Sequence, residues 1–146
     1  LNFGEKYPAK YDRRNDMSIV AMYQLNKRWK LSGTFVYGSG NAASLPVRFY
    51  FVNGLLTQEY SRINEYRLPA YHRIDFAAIY SPKKNETRKK WYTEWVFSVY
   101  NAYSRKNPYF IYFDQEGSLD QNNLHVTATQ VSIFPIIPAI TYNFKF

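Results

Sequence analysis

Few residues in this chain of 146 have the types and spacing that reactive chemistry needs. The two histidines, His72 and His125, lack a ligand-type spacing. With no cysteine in the chain, neither a zinc nor an iron site is expected. Asp75 and Glu94 are a carboxylate pair of the kind that hydrolases use, but Arg73 and Lys30 accompany them in the alternating pattern described below. The expected role of both acids is to neutralise those cations. Ser, His and Asp are present without a recognisable nucleophile context, and His72 reads as a polar tip at an interface. The run "KKNETRKK" with Trp91 and Tyr92 mimics a basic, aromatic nucleic-acid patch, yet it sits at a short turn and reads better as solvated. Asn85–Glu86–Thr87 fits a glycosylation sequon, a pattern common by chance. The expectation is a protein that is not an enzyme, with no catalytic, cofactor or metal residues and no nucleic-acid partner.

The elements around these residues follow from alternation. Met17, Ile19, Ala21, Tyr23 and Leu25 are apolar at every second position. After the turn Asn26–Lys27–Arg28, Trp29, Leu31, Gly33, Phe35 and Tyr37 oppose Lys30, Ser32, Thr34, Val36 and Gly38. Ile74, Phe76, Ala78 and Tyr80 oppose Arg73, Asp75, Ala77, Ile79 and Ser81. Trp91, Thr93, Trp95, Phe97 and Val99 oppose Tyr92, Glu94, Val96, Ser98 and Tyr100. Last, Ile140, Tyr142, Phe144 and Phe146 oppose Ala139, Thr141, Asn143 and Lys145. Period two over eight or more residues predicts five strands.

Short turns join the first strand to the second and the third to the fourth, and stretches of about thirty residues make the other connections. Within the long stretches, "VRFYFVNGLLTQEY" carries Asn53–Gly54, the pair that a type I′ turn prefers. A second hairpin is read from Tyr109–Phe113 to His125–Val131. Pro135 and Pro138 lack backbone donors, so secure pairing of the last strand is expected only from Ala139 onward.

Composition decides which surface the apolar faces meet. Aromatic residues make up 20% of the chain, 15 of them Tyr, a ring with a polar tip that suits a boundary between oil and water. Apolar content of 46% argues against disorder, and no run approaches the roughly 18 apolar residues of a membrane helix. A soluble β-sandwich would turn the apolar faces into a core. Against it stand the rings near the ends of those faces, Tyr23, Trp29, Tyr80 and Trp91 by the short turns and Tyr37 and Phe134 toward the long loops, as in an aromatic girdle. From Trp29 to Tyr37 a strand at ~3.3 Å per residue and ~40° tilt spans roughly 20 Å, near the apolar band of a barrel. The opposite faces hold Lys30, Arg73, Asp75, Glu94 and Lys145, as a lumen does. The fold expected is all-β, a transmembrane antiparallel up-and-down barrel. Five strands do not close a lumen, and orphan edge groups in lipid cost several kcal/mol each. Residues 1–146 are therefore expected either to be part of a longer barrel domain or to share their edges with another chain. The abrupt start of the sequence favours the first, with these residues as the C-terminal part of a longer barrel domain.

The stretches "YPAKYDRRNDMSIV", "GTFVYGSGNAASLP", "YRLPAYHRIDFAAIY", "FSVYNAYSRKNPYFIYF" and "VSIFPIIPAITYNFKF" together resemble the C-terminal end of a TonB-dependent outer-membrane receptor, of the group with an N-terminal carboxypeptidase-like domain. The resemblance implies the last five strands of a 22-stranded barrel, located in the cell outer membrane. It also implies that Tyr142, Phe144 and Phe146 form the signal read by the barrel-assembly machinery. The implied activity is uptake of a bulky nutrient (iron chelate, cobalamin, glycan or peptide). The implied partners are outer-membrane lipid, the rest of the barrel and its plug, the TonB complex acting through segments not in these residues, and a surface lipoprotein. In the long loops, Phe49, Tyr50, Tyr109, Phe110 and Tyr112 are of the types enriched at binding surfaces and are candidates for an outer vestibule or for docking that lipoprotein. A second possibility is a barrel of the same ancestry that scaffolds a multi-protein outer-membrane complex. A third is a soluble carbohydrate-binding sandwich.

Overall fold

A computed structural model of the chain describes residues 4–60, 62–82, 92–117, 123 and 125–145. Every regular element among them is a β-strand. In chain order these are β1 (Asp16–Gln24), β2 (Trp29–Gly38), β3 (Ala42–Ala43), β4 (Pro46–Val52), β5 (Leu55–Tyr60), β6 (Tyr66–Arg67), β7 (Tyr71–Tyr80), β8 (Tyr92–Tyr100), β9 (Phe110–Glu116), β10 (His125–Val131) and β11 (Ile137–Lys145). The structure divides into two units, Leu1–Asp16 with Gly38–Tyr71, and Met17–Tyr37 with His72–Phe146.

The second unit is built on a five-stranded sheet in the order β1-β2-β7-β8-β11, and these are the five strands read from the alternation. Successive strands of the sheet are neighbours, as in a meander, and β1 and β11 are its two edges. The turn from β1 to β2 is held by the Asn26 side chain, whose Oδ1 accepts from the backbone N–H groups of Arg28 and Trp29, each at 2.9 Å. Asn is favoured in turns because its side chain reaches the backbone two residues on. The register of the later strands is fixed residue by residue. Phe76 faces Val99, Ala78 faces Phe97 and Tyr80 faces Trp95, while Ile140 faces Phe97, Tyr142 faces Trp95 and Phe144 faces Thr93.

Pairing of β11 begins at Ile137 opposite Tyr100 and includes Pro138 opposite Val99, two residues earlier than expected. A proline lacks only its backbone donor and keeps its carbonyl, so one missing bond at Pro138 does not interrupt a ladder that Ile137 and Ala139 continue on either side. The same unit carries a ribbon of β9 and β10, paired from His125 opposite Glu116 to Val131 opposite Phe110.

In the first unit, β4 and β5 form the other ribbon, with Val52 opposite Leu55. The two residues between them, Asn53 and Gly54, both have positive φ, at 52° and 80°. A type I′ turn requires this of both central residues, and Asn and Gly accept it most readily. A short β3–β6 pair, which alternation did not reveal, sets Ala42 opposite Arg67 and Ala43 opposite Tyr66, and polar side chains tie its surroundings to the segment before β1. Arg67 bonds both the carboxylate and the carbonyl of Asp12. Asn64 donates from its backbone to Ser44 Oγ and from its side chain to the Pro8 carbonyl, each at 2.8 Å.

Gly40 sits where this pair is tightest. A Cβ added there would lie 1.5 Å from the Leu68 carbonyl oxygen, and a backbone atom cannot swing aside as a side chain can. Gly40→Ala is expected to force residue 68 away from its 3.0 Å bond to the Asn41 carbonyl. The expected loss is about 1–3 kcal/mol of local stability, seen as faster hydrogen exchange of the Leu68 amide, with the β7–β8–β11 amides unchanged.

Candidate functional site

The feature built from the most residues is the contrast between the two sides of the five-stranded sheet. In-register pairing puts Phe76, Ala78, Tyr80, Trp95, Phe97, Val99, Ile140, Tyr142 and Phe144 on one side, because side chains alternate along every strand. β2 contributes to that side as well: the Phe76 ring lies 3.5 Å from where a Gly33 Cβ would stand, and Trp29 packs on Tyr80 at 4.7 Å between ring centroids. Among the described residues nothing seals the apolar side. Ile140 is 68% exposed, Phe144 60%, Phe76 55% and Phe97 40%, and the only buried apolar residue among those described is Ala42.

At the short-turn end of this face the rings form a continuous belt. Trp29 touches Tyr80 and lies 6.5 Å from Phe97. Phe97 is the same distance from Trp95, Trp95 is 4.6 Å from Tyr142, and Tyr142 is 6.3 Å from Phe144. Four strands contribute to it. Of the girdle residues named from the sequence, the structure brings Trp29 and Tyr80 together here, beside Tyr142 and Phe144 from the expected assembly signal. Tyr23 lies on β1, 65% exposed, and Tyr37 lies at the far end of β2. Phe134 precedes β11 with its ring edge-on to Tyr100 at 6.2 Å. Trp91 and Phe146 lie outside the described residues. Trp95 and Phe97 were not singled out from the sequence as belt members, because only register shows that they bridge Trp29 to Tyr142.

The other side of the sheet is mixed. Ile79, Val96 and Ile137 share it with the polar residues, and Ser32, Thr34, Ala77, Ser98, Ala139 and Ile137 line a shallow trough of about 300 Å³ with Asp75 and Tyr100 at one end. Asp75 forms an ion pair with Arg73, Oδ2 to Nε at 3.0 Å, as the sequence suggested. The Arg73 guanidinium also lies over the Tyr100 ring, 4.3 Å from its centroid, and bonds the Tyr100 hydroxyl. Glu94, at the opposite end of this face, accepts from the Tyr92 hydroxyl at 2.8 Å, from Ser81 Oγ at 3.5 Å and from the Asn143 amide at 3.4 Å. Asp75 and Glu94 therefore do not converge as an acid–base pair. Among the described residues no three of His, Asp or Glu gather as a metal site would require. His72 is held by Asn107, whose side chain bonds both its backbone N–H and its carbonyl, and its ring Nδ1 lies 2.6 Å from the Tyr103 hydroxyl. Partial burial pushes the Tyr103 phenol above its ordinary value.

Of the ribbon aromatics, Tyr109, Phe110 and Tyr112 are brought together, at 5.6 and 6.2 Å between successive centroids, and each is at least 43% exposed. Phe49 and Tyr50 are consecutive on β4, so they point to opposite sides of their ribbon.

Asn101 is the residue that sequence reading passed over. It is 1% exposed and has φ 50°, a conformation that Asn accepts better than most residues. Its amide donates to the carbonyls of Arg105 and Phe134 at 3.0 and 2.9 Å, and its Oδ1 accepts the Arg105 N–H at 3.1 Å. Its own N–H donates to Asp75 at 2.9 Å. One buried side chain thus ties the end of β8 to the segment that leads into β11. No sequence periodicity marks such a node; the available signal was a single Asn directly after an alternating run. Asn101→Gly keeps the backbone conformation and removes the side-chain bonds. It is expected to destabilise the protein by about 2–4 kcal/mol, read by denaturant unfolding in detergent.

Compared with protein-family models, curated proteins and solved structures, the chain matches none.

Proposed function

We propose that this chain forms part of the transmembrane β-barrel of a TonB-dependent outer-membrane receptor that imports a bulky nutrient. The observation that carries the membrane reading is the exposed aromatic belt Tyr80–Trp29–Phe97–Trp95–Tyr142–Phe144, backed across the sheet by Arg73, Asp75 and Glu94. In water such a face would be an aggregation hazard, because soluble monomers rarely expose contiguous apolar patches beyond a few hundred Å². Against hydrocarbon it is at its lowest free energy, with the rings of Trp and Tyr placed near headgroups. A strand of nine residues, such as β8, is roughly 26–30 Å long and at ~40° tilt crosses roughly 20 Å, which suits the apolar band. The free edges of β1 and β11 would be satisfied by further strands of the same barrel, since unpaired backbone groups are not tolerated in lipid.

The uptake part of the reading is carried by the resemblance of the sequence stretches quoted above, and the exposed rings Tyr109, Phe110 and Tyr112 offer a surface for cargo or for a lipoprotein partner.

Two measurements separate the parts of this reading. Single-tryptophan versions of the protein retaining Trp29 or Trp95 are expected to be quenched strongly in vesicles whose lipids are brominated near the headgroup, and weakly by acrylamide. A chain that stays in solution without detergent, with both tryptophans open to acrylamide, would contradict the membrane reading. In cells carrying the gene, its deletion is expected to abolish growth on one of a scarce iron chelate, cobalamin, a glycan or a peptide, and loss of TonB to reproduce the defect. Undiminished growth on all four would remove the uptake function and leave the barrel.

A further inference from the structure

The turn from β1 to β2 presents two cations beside the aromatic belt, and its backbone is fixed from both sides. The N–H groups of Leu25 and Asn26 donate to the Trp29 carbonyl at 3.1 and 3.3 Å, and the Ser81 N–H, just after β7, donates to the Arg28 carbonyl at 2.8 Å. Gln24 Nε2 also donates to the Trp29 carbonyl, at 3.0 Å, while Asn26 Oδ1 takes the N–H groups of Arg28 and Trp29. The groups that remain are the Lys27 ammonium, the Arg28 guanidinium and the Trp29 indole N–H. Lys27 and Arg28 are exposed, and no acceptor among the described residues takes a bond from any of the three. The sequence supplies no acidic excess to balance them. The net charge of the chain is +8, and the stretch from Ser81 to Tyr92 holds five basic residues and one acidic one.

Trp29 belongs to the belt, its ring on Tyr80 at 4.7 Å, and such rings lie at headgroup level. Arg28 and Lys27 are one and two residues beyond it, at most ~3.6 and ~7 Å along the chain. Both distances are inside the ~8 Å over which physiological salt screens a charge. A phosphate at the level of the rings therefore feels both cations, and their long stems can rest on the apolar rim while the charged heads reach it. A guanidinium in particular matches two phosphate oxygens at once. We propose that this turn binds the phosphate of an anionic phospholipid in the leaflet on the short-turn side, with the acyl chains against Trp29 and Tyr80. The site rests on the membrane reading above, because only a bilayer brings lipid to the belt. A zwitterionic headgroup carries an ammonium that the two cations repel, so the turn selects a headgroup of net negative charge. Each basic residue near an anionic surface gains about fivefold in binding.

The test uses the full chain in mixed micelles of phosphatidylcholine and phosphatidylglycerol, with the retained lipid counted by native mass spectrometry. Phosphatidylglycerol is expected to be retained in preference. Lys27→Gln is expected to lower that preference about fivefold, and Lys27→Gln with Arg28→Gln roughly twenty-five-fold. Neither side chain takes part in the bonds that hold the turn, so strand content by circular dichroism is expected to stay the same. Lys6→Gln with Lys10→Gln, the same change of charge in the segment before β1, is expected to leave the preference unchanged. An unchanged preference in the turn variants, or an equal loss in the Lys6 and Lys10 variant, would overturn the site and leave the membrane reading standing. Displacement of the lipid by inorganic phosphate alone would show a site for free anions and overturn the lipid assignment. Failure of the chain to enter micelles would overturn the membrane reading and this site together.

Discussion

Alternation along a strand becomes consequential only when neighbouring strands agree on which residues face each other. A slip of one residue anywhere in β7, β8 or β11 would carry Phe97 or Ile140 to the side of Asp75 and Glu94 and would mix the two surfaces. In this sheet the register holds Phe76, Phe97 and Ile140 to one side and Ala77, Ser98 and Ala139 to the other. The aromatic belt, the polar trough and the absence of an apolar core among the described residues all depend on that agreement. Cross-strand contacts such as Trp95 on Tyr142 reinforce it, since aromatic pairs contribute several tenths of a kcal/mol each beyond simple burial.

The polar side shows how charge is accommodated next to such a surface. Arg73 is not left to solvent alone: a carboxylate pairs with it from two residues along its own strand, and the ring and hydroxyl of Tyr100 cover it. Asp75 in turn anchors the buried Asn101 node. Ion pair, cation–π contact and turn are therefore a single polar unit at one end of the sheet, and removing any member leaves a partner with an unmet bond. The small residues of the trough have a different consequence. Ser32, Thr34, Ala77, Ser98 and Ala139 are too small to fill that side and leave a shallow trough along it.

What could be read from the sequence and what could not differ for a physical reason. The five long strands were legible because period two is a local property of each segment, and the Asn53–Gly54 turn was legible because positive φ restricts which residues can occupy it. The belt was only half legible: Trp29 and Tyr80 were marked by lying at the ends of apolar runs, but Trp95 and Phe97 sit mid-strand and become part of it through register with β7 and β11. The β3–β6 pair was invisible because two residues per strand are too few to alternate, and the Asn101 node because it is made of polar groups meeting over a long sequence separation, as Asn101 meets Phe134. Pro138 left the start of β11 open in the sequence, since whether one missing donor interrupts a ladder depends on the partner strand, here β8, and that is a property of the sheet.

The central claim is that hydrocarbon covers one side of this sheet and water the other, and a labelling scan tests it most directly. The chain contains no cysteine, so single cysteines can be placed at each position from 93 to 99 of β8 without further changes. In bilayers, a charged maleimide should react at 94, 96 and 98 and be excluded at 95, 97 and 99, with the pattern reversing for a lipid-soluble reagent. Uniform reactivity, or protection at the even positions instead, would contradict the account.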